Sequence, residues 1–140
     1  MAKTGPIVII EDDADDKSIL EEVLRDLNVP NEIIWFEGTE EAYNYLCTTT
    51  ESIFLIFCDI NLPGLNGLEF KRTVDAVPEL RRKSIPFLFY STTATQKDVN
   101  EAYTEMTVQG FFTKGSNYPE LKRLIGIILD YWMSCRHPNF

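Results

Sequence analysis

Apolar residues in this chain fall in short unbroken runs separated by stretches with helical spacing. Ile7 to Ile10 is a run of four without polar alternation, as expected of a strand covered on both faces. Asp13 to Asp16 then bring acids suited to a helix start, and Ile19, Leu20, Val23, Leu24 and Leu27 share one face until Asn28 and Pro30 end the helix. Ile33 to Phe36 predicts a second strand, and Thr39 a cap for a short helix carrying Ala42, Tyr43 and Leu46. Ile53 to Cys58, the most apolar segment, predicts the central strand; it leads into Asp59 and the turn-forming Asn61, Pro63, Gly64, Asn66 and Gly67. Phe70, Val74 and Val77 mark a third helix. Phe87 to Tyr90 predicts a fourth strand, opened by Pro86 and ended by Ser91, Thr92 and Thr93. A fourth helix carries Val99, Ala102, Tyr103 and Met106, and Val108 to Thr113 a short fifth strand ending at Lys114 and Gly115. The last helix has the cleanest stripe: Leu121, Leu124, Ile125, Ile128, Leu129 and Trp132.

Five strand–helix units imply an α/β protein of three layers: a doubly wound, flavodoxin-like (βα)5 fold with a five-stranded parallel sheet of order 2-1-3-4-5. Residues 1–140 are expected to form a single domain with its core at about 7–132 and no further output domain. In such a sheet, strands 1 and 3 are neighbours and ligands bind at their carboxyl ends. The loops after strands 1, 3, 4 and 5 should therefore meet.

Composition narrows the partners. Net charge is −9, which disfavours nucleic acid and anionic membranes and favours proteins and metal cations. Cys47, Cys58 and Cys135 are odd in number and widely spaced, which suits a reducing compartment better than a disulfide framework. Met1 to Pro6 lacks an apolar segment of the signal-peptide kind, and no apolar run is long enough to span a bilayer, so a cytoplasmic location is expected.

The converging loops carry Glu11, Asp12 and Asp13 after strand 1, Asp59 and Asn61 after strand 3, Ser91 after strand 4 and Lys114 after strand 5. Taken singly, each has an ordinary role: helix cap for Asp12 and Asp13, turn former for Asp59 and Asn61, helix start for Ser91 to Thr93, solvated loop residue for Lys114. Together they carry matched chemistry. Clustered carboxylates call for a cation, and hard oxygen ligands suit Mg²⁺. A lysine serves as a point charge for a phosphoryl oxygen, a serine adds a neutral donor, and an aspartate is a nucleophile able to form an acyl phosphate.

At these residues the chain resembles the receiver family of two-component signalling. IVIIEDD is similar to its first strand and acidic pair, DINLPGLNGLEF to its phosphoacceptor loop and third helix, PFLFYST to its fourth strand with a hydroxyl residue, and GFFTK to its fifth strand with a lysine. The likeness runs from about Ile7 to Trp132. It implies that Asp59 takes the phosphoryl group and binds metal, and that Glu11 and Asp12 are the acidic pair, Asp12 favoured as the direct Mg²⁺ ligand. It also implies that Asn61 offers a backbone carbonyl to the metal, that Ser91 and Lys114 bind the phosphoryl oxygens, and that Phe111 stands at the aromatic switch position. Implied partners are a sensor histidine kinase or phosphotransfer protein and a downstream protein target. Such a chain is a self-phosphorylating and self-dephosphorylating switch, not a turnover enzyme.

Three departures from the family pattern stand out: Gly115 where a proline is usual, Thr92 where a very small residue is preferred, and Phe111, which lacks a phenol hydroxyl. Gly115 and Thr92 favour an alternative, a receiver-like interaction module that is never phosphorylated. A flavin carrier on the same sheet is disfavoured because Glu11, Asp12 and Asp13 would repel a phosphate. A haloacid-type phosphatase would want a second aspartate where Asn61 stands. His137, beside Pro138, is expected to be exposed, and part of the Tyr131, Trp132, Met133 cluster to pack on the sheet while the rest is free for a homodimer or kinase contact.

Overall fold

Strand β1 (Ile7–Ile10) is wholly buried and has a parallel neighbour on each side, β2 (Ile33–Phe36) and β3 (Leu55–Cys58). β4 (Phe87–Ser91) pairs with β3, and β5 (Gly110–Thr113) closes the sheet, giving the order β2-β1-β3-β4-β5. The computed structural model describes residues 2–114 and 117–139, so Gly115 lies outside the described residues.

Side chains alternate across the sheet with period two. Ile7, Ile9, Leu55, Phe57, Leu88 and Tyr90 face one layer, made by α1 (Ala14–Asp26) and α6 (Tyr118–Ser134). Val8, Ile10, Ile56, Cys58, Phe87 and Phe89 face the other. That layer is α2 (Thr39–Thr48), α3 (Gly67–Ala76), α4 (Pro78–Lys83) and α5 (Gln96–Glu105). Both faces are therefore apolar, which explains unbroken runs in the sequence.

Local chemistry sets the helix ends nearest the sheet's carboxyl edge. Asp13 caps α1, its carboxylate accepting the backbone N–H groups of Asp15 and Asp16. Asn28, at φ 57°, turns the chain out of α1 in the left-handed region that asparagine tolerates. Asn66 and Glu69 form a reciprocal capping box at the start of α3.

The structure differs from the sequence reading at several points. β3 and β5 begin at Leu55 and Gly110, each two residues later than expected, and Ser91 is the last residue of β4 and not the first after it. Val77 does not extend the third helix; it separates α3 from a sixth, short helix, α4. Pro78 has no N–H to continue α3 but suits the first turn of a new helix, whose Leu80 is buried. Thr39 is the first residue of α2 and buried, with Gly38 at the cap position and no side-chain cap bond. His137 is buried, not exposed. Its Nε2 lies 2.8 Å from the Phe54 carbonyl oxygen, its Nδ1 accepts the Asn139 N–H at 3.0 Å, and its ring rests against Phe54 and Trp132. Trp132 is buried in the α1/α6 layer, while Tyr131 and Met133 are exposed. Among the described residues, no helix is long and apolar enough to cross a membrane.

Candidate functional site

At the carboxyl edge of the sheet, the ends of β1 and β3 are held side by side, with the Asp59 N–H donating to the Ile10 carbonyl at 3.0 Å. Glu11 follows β1. Its own N–H donates to Phe36, and its carbonyl accepts the indole N–H of Trp35 at 2.6 Å, which fixes the start of the acidic loop against β2. Glu11 and Asp59 are buried, whereas Asp12 is exposed. Each offers a carboxylate oxygen, and these three oxygens lie within 4.8 Å of one another.

The loop after Asp59 is drawn tightly back. The Gly67 N–H donates to Ile60 at 2.8 Å, and a Cβ at position 67 would stand 2.3 Å from the Asp59 carbonyl oxygen, so the turn needs glycine there. The Asn61 N–H donates to Asp59 Oδ1 at 3.2 Å, and its side-chain amide donates to the Thr93 hydroxyl. That second bond links the loops after β3 and β4.

Lys114 crosses the cleft from the end of β5. Its backbone N–H donates to the Ser91 carbonyl at 3.1 Å. Its Nζ donates to Glu11 Oε1 at 2.7 Å, Asp16 Oδ2 at 2.8 Å and Asp59 Oδ2 at 3.1 Å, and lies 5.0 Å from the Tyr90 ring centre. Ser91 is buried, and its hydroxyl oxygen accepts the Thr93 N–H at 3.3 Å. Phe111 is half-buried with its ring 5.5 Å from Phe89. Thr92 is exposed.

Glu11, Asp12, Asp59 and Lys114 are thus together. Ser91 and Asn61 border them through bonds to Lys114 and Asp59, whereas Phe111 packs against Phe89. Sequence reading missed Asp16, Trp35 and Tyr90. Asp16 carried a signal, since it lies one helical turn beyond Asp12, but among four acids at a helix start it read as capping chemistry.

Charge in the hollow is unbalanced: Glu11, Asp16 and Asp59 meet one ammonium, and Asp12 adds a fourth carboxylate beside Glu11 and Asp59. Burial pushes the Glu11 carboxyl up to about 7, Asp59 adds to the rise, and Lys114 only partly opposes it. Burial works against the Lys114 ammonium, but Asp16, Glu11 and Asp59 more than offset this and hold its pKa above the ordinary lysine value. One amine cannot neutralise the whole set, so Glu11 is penalised while Lys114 is favoured. Lys114 is a fixed positive charge and not a proton acceptor at neutral pH. Surplus carboxylates of hard-oxygen type, one of them open to water, fit a small divalent cation such as Mg²⁺.

The response regulator receiver domain model matches residues 7–126. Response regulator Rcp1 of Synechocystis sp. is 28% identical over 132 residues, covering 91% of this chain and 88% of that protein. The crystal structure of a phosphorylated cyanobacterial phytochrome response regulator, RcpA, superposes with a TM-score of 0.84 at 28% identity, over 95% of this chain and 97% of that one. The Mn(2+)-bound form of Rcp1 gives 0.80 at 26% identity, over 94% and 96%. With this strand order, these strand-end carboxylates and these matches, the chain belongs to the response regulator receiver domain family.

Proposed function

We propose that this chain acts as a phosphorylation switch: Asp59 takes a phosphoryl group from the phosphohistidine of a sensor kinase or phosphotransfer protein, and a partner protein reads the change. The observation that carries this reading is the meeting of Asp59 Oδ2 and Lys114 Nζ at 3.1 Å in a hollow with surplus negative charge.

An Asp59 carboxylate oxygen attacks phosphorus in line, the N–P bond of the donor breaks, and the imidazole leaves with the bonding pair. Glu11, Asp12 and Asp59, with the carbonyl of Asn61, would hold Mg²⁺, which neutralises charge on the transferring phosphoryl oxygens. Lys114 supplies the remaining positive charge on the opposite side. Ser91 ends β4, and its hydroxyl can turn from the Thr93 N–H to a phosphoryl oxygen. Its carbonyl already holds the Lys114 N–H, so both groups move as a unit. The adjoining ring pair of Phe89 and Phe111, partners in the β4–β5 register, passes that shift to the outer face of β5 and its helices by packing. That face is read by a downstream protein or a second copy of the chain. The group leaves by hydrolysis, so the protein is a switch and not a turnover enzyme.

Acetyl phosphate with Mg²⁺ tests this, read by intact mass. Wild-type protein should gain one hydroxylamine-sensitive phosphoryl group, gain none when excess chelator is present from the start, and gain none as Asp59→Ala. Wild-type protein that stays unmodified, or an Asp59→Ala variant that is modified to the same extent, overturns the reading.

A further inference from the structure

Of the three carboxylates on the Lys114 ammonium, Asp16 alone has no part in the three-carboxylate group that suits a cation. It is nevertheless nearer to Nζ than Asp59 is, at 2.8 Å against 3.1 Å. It comes from the first turn of α1, its backbone N–H fixed by the Asp13 cap, and its side chain is 40% exposed against 4% for Glu11. Asp16 therefore stands at the mouth of the hollow while Glu11 lies in its floor.

An ammonium has three N–H donors, and Lys114 has three carboxylate acceptors. A phosphoryl group on Asp59 takes over the Asp59 hydrogen bond, and a second phosphoryl oxygen can reach the ammonium only by displacing Glu11 or Asp16. Glu11 is buried and would be stranded by losing its partner, whereas Asp16 can turn to water at little cost. We propose that Asp16 is a positioning residue: it holds Lys114 at the cleft mouth in the unphosphorylated chain and competes with the phosphoryl group for the ammonium. This rests on the phosphorylation reading of the site.

The consequence has two signs. Without Asp16, the Lys114 charge falls wholly on Glu11 and Asp59, the carboxylates a cation needs, so Mg²⁺ should bind more weakly. The same loss frees an N–H for a phosphoryl oxygen and removes a negative charge from its path, so a phosphoryl group should bind more tightly. Loosening of α1 would weaken both.

The experiment titrates Mg²⁺ alone, then beryllofluoride, a phosphoryl mimic, at saturating Mg²⁺. Asp16→Asn should raise the Mg²⁺ Kd and lower the beryllofluoride Kd, each by about threefold, the scale of one partly exposed ion pair. Asp16→Glu should fall between the variant and wild type. Asp15→Asn removes the same charge from the same helix turn without touching Lys114 and should leave both constants unchanged. Asp16→Asn constants that both match wild type, or that weaken together, overturn the role of Asp16 alone. Wild-type protein that takes up no beryllofluoride with Mg²⁺ overturns the phosphorylation reading beneath it.

Discussion

Lys71 and Lys114 are almost equally hidden, with side chains 6% and 7% exposed, and each ammonium lies near an aromatic ring: 4.9 Å from the Phe87 centre and 5.0 Å from the Tyr90 centre. Their carboxylates differ. Among the described residues, Lys71, on α3, meets one carboxylate, Asp75, at 2.8 Å, and the Thr107 hydroxyl at 3.1 Å. Thr107 in turn donates its N–H and its hydroxyl to Asp75, each at 2.9 Å. Charge there is matched and the acceptors are filled, so the cluster ties α3 to the loop before β5 and needs nothing more. At Lys114 one ammonium meets three carboxylates with that of Asp12 beside them, and the excess can be relieved only by a cation or by protons. Of two similar buried lysines, the number of surrounding acids separates the structural one from the candidate functional one.

The largest expected effect breaks the matched cluster. Asp75→Ala leaves Lys71 charged among apolar side chains and the Thr107 N–H without its acceptor, and should cost about 3 kcal/mol in urea unfolding. Burial lowers the Lys71 pKa already, and without Asp75 the amine keeps only the neutral Thr107 hydroxyl as acceptor. Replacing both, as Lys71→Met with Asp75→Leu, should restore most of that loss. A double variant no more stable than Asp75→Ala would show that the pair does more than match charge.

Removing an acid from the crowded cluster should act in the opposite direction. Without divalent cation, Glu11→Gln should raise stability at about pH 8 by about 2 kcal/mol, because Glu11 is penalised when ionised. The pH signs separate the clusters. The Glu11 carboxyl is pushed up to about 7 against an ordinary 4.5, so wild-type stability should rise as pH falls through that interval, and Glu11→Gln should lack the rise. Burial opposes the Asp75 carboxyl, but Lys71 and Thr107 hold it below its ordinary 3.8, so its contribution is present above that value and is lost in stronger acid. Saturating Mg²⁺ should abolish the benefit of Glu11→Gln. Equal benefit with and without Mg²⁺ would place the strain outside the cation-binding acids.

The framework of this contrast was legible in the sequence. Strands buried on both faces wrote themselves as apolar runs, and the residue after each run falls at the sheet edge, so Asp59 and Lys114 could be placed without coordinates. What could not be read depends on distant partners. Asp16 and Lys114 are 98 residues apart, and the acids around Asp16 gave it a sufficient local explanation as helix-start chemistry. His137 sits beside Pro138 in a polar tail, and nothing local reveals that a carbonyl 83 residues earlier accepts its ring. Pro78 was visible, but whether a proline ends a helix or restarts one depends on Leu80 finding the core. Lys71 gave no signal in the sequence, since burial of a long charged side chain is set by what surrounds it.

The smallest expected effect concerns the rings. At nearly equal distance, an aromatic face should matter more to an ammonium with one carboxylate than to one with three, because the second already has its three N–H donors in charged hydrogen bonds. Double-mutant cycles isolate the coupling from the packing each ring contributes on its own. The Lys71→Met and Phe87→Leu cycle should give about 1 kcal/mol, and the Lys114→Met and Tyr90→Leu cycle about 0.5 kcal/mol or less. Phe87 also packs against Phe70 and Phe89, but that packing appears in the single variant and cancels from the cycle unless Lys71 itself holds the rings in place. Coupling at Tyr90 equal to or larger than that at Phe87 would mean the Lys114 ammonium is less satisfied by its acids than their number suggests. The surplus charge would then fail as the feature that separates the two clusters.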